Sequence, residues 1–366
     1  MVNFAYLIWD PNPEVFRIPF IDLPILWYGL FFAVGFMLGF PIFVRIVERF
    51  FLQRPDFEER ELIGEIDASW LKEDQLKGKS ALIRALNQWL VNPKPMIERM
   101  LSKNQVKQAS CSLHSQEALR RLQLEQMFPT AIFSLRKQSV QIADRLTIYI
   151  IIATVLGARV GHYLFYEKPS DYMYNLWELV NLWRMRGLSS HGAAIGIWCG
   201  VAFFAYRYRH KLRGISRLHL LDFISAPTAL AGAFIRLGNF FNQEILGTVT
   251  NVRWGVIFAH PADGTYPTPR HPVQLYEAII YLLVFFMLWR LTFFSKYLLE
   301  KGQLFGWFLV LVFGFRFFIE YWKEEQSRLM PSSFDLTMGQ ILSIPTVVIG
   351  IFLLLRNILH RSHLAT

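Results

Sequence analysis

A chain of 366 residues that is 53 % hydrophobic, 16 % aromatic and only 18 % charged, with a mean hydropathy of +0.29, is too apolar for a soluble enzyme. Its Phe, Tyr and Trp residues lie along long apolar runs, so the bilayer is the expected solvent, and disorder and collagen-like repeats are excluded. A net charge of +10 fits basic cytoplasmic loops of a membrane protein, not a nucleic-acid partner. Cys111 and Cys199 form neither a disulfide framework nor a metal cluster.

The first apolar stretch, residues 25–47, follows a short polar N-terminus and ends in the basic group Arg45, Arg49 and Arg54. It reads as a membrane span, too long and too poor in a basic start and a small-residue cleavage site for a removable signal peptide. Further spans are expected at residues 146–166, 191–206, 221–241, 273–291, 302–322 and 338–355, giving an all-α polytopic membrane protein of about seven transmembrane helices. The third is short, and its opening run from His191 to Gly196 could dip in as a re-entrant turn.

Orientation follows from the basic residues. Arg207, Arg209, Lys211, Arg213 and Arg217 separate spans three and four, and Arg290, Lys296 and Lys301 separate five and six, so those loops face the cytoplasm. The N-terminus then lies outside and the C-terminal tail, with Arg356 and Arg361, inside. The domain expectation is an outward N-terminal segment with the first span (1–47), a cytoplasmic helical insertion (48–145) and the remaining six spans with an outward site (146–366). In the insertion Leu82, Leu86, Trp89 and Leu90 recur at helical spacing, as do Leu119, Leu122 and Met127 less cleanly, with breaks near Pro93, Pro95 and Pro129. Short amphipathic helices lying against the membrane account for that pattern.

Charges inside the spans carry the chemistry. An arginine within an apolar helix costs about 2.5–3.5 kcal/mol on insertion scales. Arg159 lies about 13 residues from the cytoplasmic start of its span, Arg236 about 15 and Arg316 about 14, each roughly 20 Å up at about 1.5 Å per residue. All three reach a similar level toward the outer leaflet. Tyr28, His191 and Glu277 sit at the outer ends of other spans, and Glu320 follows Arg316 by one turn, where it can orient or neutralise the guanidinium. For each there is a structural alternative: snorkelling or pairing for the arginines, an interfacial aromatic belt for Tyr28, a structural histidine for His191.

Span four ends in Arg236-Leu237-Gly238-Asn239-Phe240-Phe241-Asn242-Gln243-Glu244-Ile245-Leu246-Gly247, too polar and glycine-punctuated for lipid-facing helix. This segment resembles the signature of the prolipoprotein diacylglyceryl transferase family. Matching segments are Trp27-Tyr28-Gly29-Leu30, Gly157-Ala158-Arg159-Val160-Gly161, His191-Gly192, Trp254-Gly255-Val256, Pro269-Arg270-His271-Pro272 before Gln274-Leu275-Tyr276-Glu277, Arg316 with Glu320, and Met338-Gly339-Gln340-Ile341-Leu342. Departures are Ile235 where the family usually has Gly, Ala193 where a second Gly follows His-Gly, and the insertion.

The resemblance implies transfer of an sn-1,2-diacylglyceryl group from phosphatidylglycerol to the lipobox cysteine of a prolipoprotein signal peptide, with a thioether formed and glycerol 1-phosphate released. It places the protein in the bacterial inner membrane, with its site toward the outer leaflet and no cofactor or metal. Planar guanidinium groups suit the donor phosphate, Arg236 first, with Arg316 and Arg159 to share it. His191 is the base candidate for a thiol whose ordinary pKa is about 8.5, although the arginine field alone could favour thiolate. Asn239, Asn242, Glu244, Glu277, Glu320 and Tyr28 are expected to order the substrates, and Gly192, Gly238 and Gly247 to permit close backbone approach. A solute or lipid transporter and a non-catalytic lipid-binding scaffold are the competing classes. A transporter should carry its charges at the midplane between repeated halves, and no repeat is visible.

Overall fold

The computed structural model describes residues 6–20, 22–53, 129–166, 189–209, 212, 214–295, 297–324 and 336–365. The helical segments expected around Leu82 to Leu90 and Leu119 to Met127 lie outside the described residues. The chain forms two compact units, Met1–Val47 with Ala143–Thr366, and Glu48–Ile142.

Seven α-helices carry the described residues: α1 (Trp27–Gln53), α2 (Pro129–Tyr166), α3 (Ser190–Arg207), α4 (Arg217–Phe241), α5 (Val273–Phe294), α6 (Gln303–Ile319) and α7 (Met338–Ala365). Six of the seven are long and apolar enough to cross a membrane. The helix outside that set is α3, with 18 residues that include His191 and Arg207. α2 begins at Pro129, well before the expected start at residue 146, because Arg, Lys and Gln between those points are good helix formers even where they are poor span residues. Proline stands at the first helical position, where its missing N–H costs nothing.

The predicted re-entrant turn at His191 is not what the chain adopts. Ser189, extended, caps α3 by accepting from Gly192 N at 3.2 Å, and regular helix follows from Ser190. The small residues there serve packing. A Cβ on Gly161 would lie 2.4 Å from Gly192 Cα, and one on Gly157 would lie 2.7 Å from Gly196 Cα. Thus α2 and α3 run antiparallel with their backbones in direct contact, a small-residue stripe of the kind membrane helices use in place of hydrophobic drive.

The other helices pair by the same logic. Gly35 and Gly39 of α1 face Ala231 and Pro227 of α4, Gly232 of α4 faces Tyr281 of α5, and Gly306 of α6 faces Gly350 of α7. From Gly35 to Gly39 the partner on α4 moves back from Ala231 to Pro227, the mark of antiparallel neighbours. Helix α4 is the centre, with 15 buried residues along it.

Two small sheets, which no span pattern announces, decorate one end. Strand β1 (Leu7–Trp9) pairs in parallel with β4 (Val256–Phe258), which pairs antiparallel with β5 (Pro269–Arg270); β2 (Glu14–Ile18) and β3 (Leu23–Leu26) form a hairpin leading directly into α1. Trp9 closes the first sheet over the end of α4: its ring lies 4.5 Å from Phe240, and its indole N–H donates to the Phe240 carbonyl at 3.0 Å. Phe240, Leu246, Val256 and Phe258 are buried beneath it.

Candidate active site

Glu277, one turn into α5, is wholly buried and is the point on which three helix ends converge. Arg236 of α4 places Nε 2.8 Å from its Oε2, Arg316 of α6 places Nη1 3.7 Å from its Oε1, and Lys323, just beyond α6, places Nζ 2.9 Å from the same Oε1. A carboxylate stripped of water is costly, and so is each buried cation; together they satisfy one another, and removing one member leaves the rest uncompensated. Glu320, read from the sequence as the helix-face partner of Arg316, lies 3.5 Å from Lys323 Nζ. Burial pulls the Lys323 ammonium below its usual range, an effect that Glu277 opposes.

Glu320 itself needs Gly339. A Cβ at that position would lie 2.2 Å from Glu320 Oε1, so a larger residue would push the carboxylate from its place beside the first turn of α7. There the positive end of the helix dipole favours negative charge.

From Arg236 a second chain of contacts runs outward. Its Nη1 donates to Asn239 Oδ1 at 3.1 Å; Asn239 Nδ2 donates to Glu244 Oε1 at 2.8 Å, and Asn242 Nδ2 reaches the same oxygen at 3.5 Å. The loop that turns Glu244 inward is strained: Gln243 and Ile245 have φ of 54° and 58°, a left-handed conformation rare for a β-branched residue such as Ile. Strain of this kind persists only where surrounding contacts impose it. Here they do: Glu244 N donates to the Asn239 carbonyl at 3.1 Å, Gln243 Oε1 accepts from His260 N at 2.7 Å, and Gln274 Nε2 donates to the Glu244 carbonyl at 2.8 Å.

Gly247 closes the loop. A Cβ there would lie 2.3 Å from the His271 carbonyl and 2.9 Å from that of Trp322. The segment after α4 is therefore clasped between β5 and the end of α6, with Thr248 N donating to the Trp322 carbonyl at 2.8 Å and His271 N to that of Thr248 at 3.1 Å. This clasp is what brings Lys323 to Glu277. At Gly238 the neighbour is Tyr28, whose ring carbon would lie 2.8 Å from an added Cβ, so the glycine lets α1 present Tyr28 to the same site, within electrostatic reach of Arg236 and Glu244.

His191 and Arg159 approach on the α2–α3 pair. Arg159 is 2 % exposed, with Nη2 3.0 Å from the Tyr163 hydroxyl and its guanidinium 4.8 Å from the centre of that ring. His191, 4 % exposed, packs 5.9 Å from the ring of Phe313, one turn below Arg316 on α6. Neither of its ring nitrogens has a hydrogen-bond partner among the described residues, an uncommon condition for a buried imidazole.

The structure thus gathers Arg236, Arg316, Glu277, Glu320, Asn239, Asn242, Glu244 and Tyr28 in one connected site, with Gly238 and Gly247 beneath it and Gly192 in the α2–α3 contact that carries His191 and Arg159. Sequence reasoning missed Lys323 and gave no role to Gln274 or Arg270. Arg270 is 5 % exposed and joins the Gly247 carbonyl at 3.0 Å to Glu324 at 3.0 Å. The available sign for Lys323 was its spacing of three from Glu320 on a helix already carrying Arg316.

The family model described as "Prolipoprotein diacylglyceryl transferase" matches residues 123–356. A relative named phosphatidylglycerol--prolipoprotein diacylglyceryl transferase, from Protochlamydia amoebophila (strain UWE25), is 38 % identical over 360 residues, 96 % of this chain and 95 % of its own. Relatives of the same name from Chlamydia pneumoniae (40 % over 237 residues, 63 % of this chain and 81 % of theirs) and Tolumonas auensis (43 % over 214 residues, 58 % and 78 %) match a smaller part.

Proposed function

The chain belongs to the prolipoprotein diacylglyceryl transferase family, and we infer from that membership that it is a multi-pass membrane enzyme moving the diacylglyceryl group of phosphatidylglycerol onto the cysteine thiol of a prolipoprotein. The peptide sulfur bonds to the glyceryl carbon, the bond from that carbon to the phosphate oxygen breaks, and glycerol 1-phosphate departs with the proton that the thiol gives up. The observation that supports this reading best is the convergence of Arg236 and Arg316 on buried Glu277. Purified protein given phosphatidylglycerol and a lipobox peptide should yield a thioether-linked diacylglyceryl peptide by mass spectrometry, with one glycerol 1-phosphate per product. A peptide left unmodified under conditions where both substrates bind would refute it.

In this reading the guanidinium groups hold the donor phosphate and stabilise the charge that builds on it as the carbon–oxygen bond breaks. Glu277 does not touch the lipid; it fixes Arg236 through Nε, and phosphate takes guanidinium N–H groups that Glu277 and Asn239 do not. Asn239, Asn242 and Glu244 order the headgroup side, and Tyr28 lines the approach from α1. Arg159, Glu320 and Lys323 add to or balance the field. The site opens toward the outer leaflet of the bacterial inner membrane, where a secreted signal peptide and the lipid headgroup meet.

His191 takes the thiol proton. A buried imidazole with no hydrogen-bond partner among the described residues is suited to accept from a substrate. His191→Gln should lower turnover by about 10²-fold or more at neutral pH, within the usual worth of a general base, and regain part of it as pH rises toward the thiol pKa of about 8.5. Full activity of His191→Gln at pH 7 would leave the residue with a structural role only.

Residues 48–145 form a cytoplasmic accessory segment. Replacing residues 54–128 by a short flexible linker, which spares α2, should leave transfer per folded molecule within about twofold, because a cytoplasmic segment cannot reach the outer headgroup plane across about 30 Å of hydrocarbon. Normal insertion and substrate binding without transfer would place the segment in the mechanism instead.

A further inference from the structure

Asp222 is wholly buried in the second turn of α4, far from the site and with no part in the mechanism above. Its carboxylate meets the start of α6: Gly302 N donates to Oδ2 at 2.7 Å and Phe305 N donates to Oδ1 at 2.8 Å. Gly302 is the N-cap of α6, at φ 79°, and has no side chain with which to cap. The two amides that Asp222 receives are those of the N-cap and N3 positions, the pair that a capping box within one helix would satisfy. Here the cap comes from a different helix. One turn earlier His219, whose Nδ1 accepts from Ser216 N within the cap of α4, places Nε2 3.4 Å from the Leu299 carbonyl in the connector that precedes α6.

The spacing gives this contact a meaning. Arg236 follows Asp222 by 14 positions on α4, and Arg316 follows Gly302 by 14 positions on α6. Both helices run from this contact toward the site, so at about 1.5 Å per residue each arginine stands about 21 Å from the same anchor. Two short hydrogen bonds from backbone amides of one helix to a buried carboxyl group of another fix their axial register at a single residue. We propose that Asp222 is a positioning residue that sets the axial register of α4 against α6 and so brings Arg236 and Arg316 to one level on Glu277. This rests on the reading of the two arginines as joint holders of the donor phosphate.

The test separates register from stability and from the proposed reaction. In a background with Cys111→Ser and Cys199→Ser, spin labels at Leu237→Cys and Phe318→Cys report the distance between the far ends of α4 and α6 by pulsed electron resonance. Asp222→Ala should shift or broaden that distance by several ångströms, about one to three residues of helix rise. Asp222→Glu, which keeps the carboxyl group and both acceptor oxygens, should restore most of it. With unlabelled protein, Asp222→Ala should raise KM for phosphatidylglycerol at least tenfold, while KM for the lipobox peptide stays within twofold. An unchanged label distance in Asp222→Ala overturns the proposal, as does a loss of folded protein in which the surviving molecules keep their KM for the lipid. Should Asp222→Ala not accumulate, Asp222→Asn, which keeps a single acceptor oxygen, is judged by the same two readouts. If the parent protein shows no transferase activity, the proposed function fails while the distance measurement still decides the register.

Discussion

Arg236→Ala is expected to lower transferase turnover by about 10³-fold or more, at the upper end of what one lost donor to a developing anion costs, without preventing insertion or folding. The reason lies in how the side chain is held. Glu277 takes Nε at 2.8 Å and Asn239 takes Nη1 at 3.1 Å, so the plane of the guanidinium is set before any lipid arrives. Arg236→Lys keeps the charge but not the fork, and its ammonium cannot meet Glu277, Asn239 and a phosphate in the same geometry. It should remain at least about tenfold below the parent. Initial rates with saturating peptide, normalised to folded protein, check both variants, and near-normal turnover in either would remove Arg236 from the central role.

Glu277→Gln should cause the largest loss of stability of any single change in the site. Its carboxylate is 0 % exposed and faces Arg236, Arg316 and Lys323. The neutral amide leaves those cations without their common partner, for a cost of about 3–5 kcal/mol. Removing one cation as well should help: Glu277→Gln with Lys323→Gln is expected to recover part of the loss, because one fewer buried charge then lacks compensation. Thermal unfolding in detergent, without substrates, measures both. Equal stability of Glu277→Gln and the parent would mean that the cluster is not held by its central charge.

The spans were legible because about 20 consecutive apolar residues have few other uses, and Val273 begins its helix where the sequence places it. Arg236, Arg316 and Glu277 were legible for the opposite reason, since charges inside such runs must be explained. Their mutual pairing was not: the sequence offered Glu320 to Arg316 by helical spacing, and the fold brings Glu277 from another helix. Lys323 escaped because a lysine just past a span end is ordinary at a membrane interface. The β1–β4 pairing joins residues 7–9 to 256–258 through strands of three residues, too short for any alternation to register. The glycines after His191 looked like a breaker, yet they are the surface on which α2 and α3 touch. Asp222 stood out only as an acid at the start of span four, and its partners were not legible, because the amides it caps are backbone groups that every residue but proline carries.

We propose that Arg236 and Arg316, fixed by Glu277, hold the phosphate of the lipid donor. Equilibrium binding of phosphatidylglycerol and of diacylglycerol, measured without peptide on the parent protein and on Arg236→Ala, addresses it most directly. The two lipids share acyl chains and glycerol and differ in the phosphoglycerol headgroup. The parent should prefer phosphatidylglycerol, and Arg236→Ala should weaken that lipid alone, by about tenfold or more, as expected for a charge-assisted contact worth about 1.5–3 kcal/mol. Equal affinity of the parent for the two lipids, or an equal loss of both in Arg236→Ala, would contradict it.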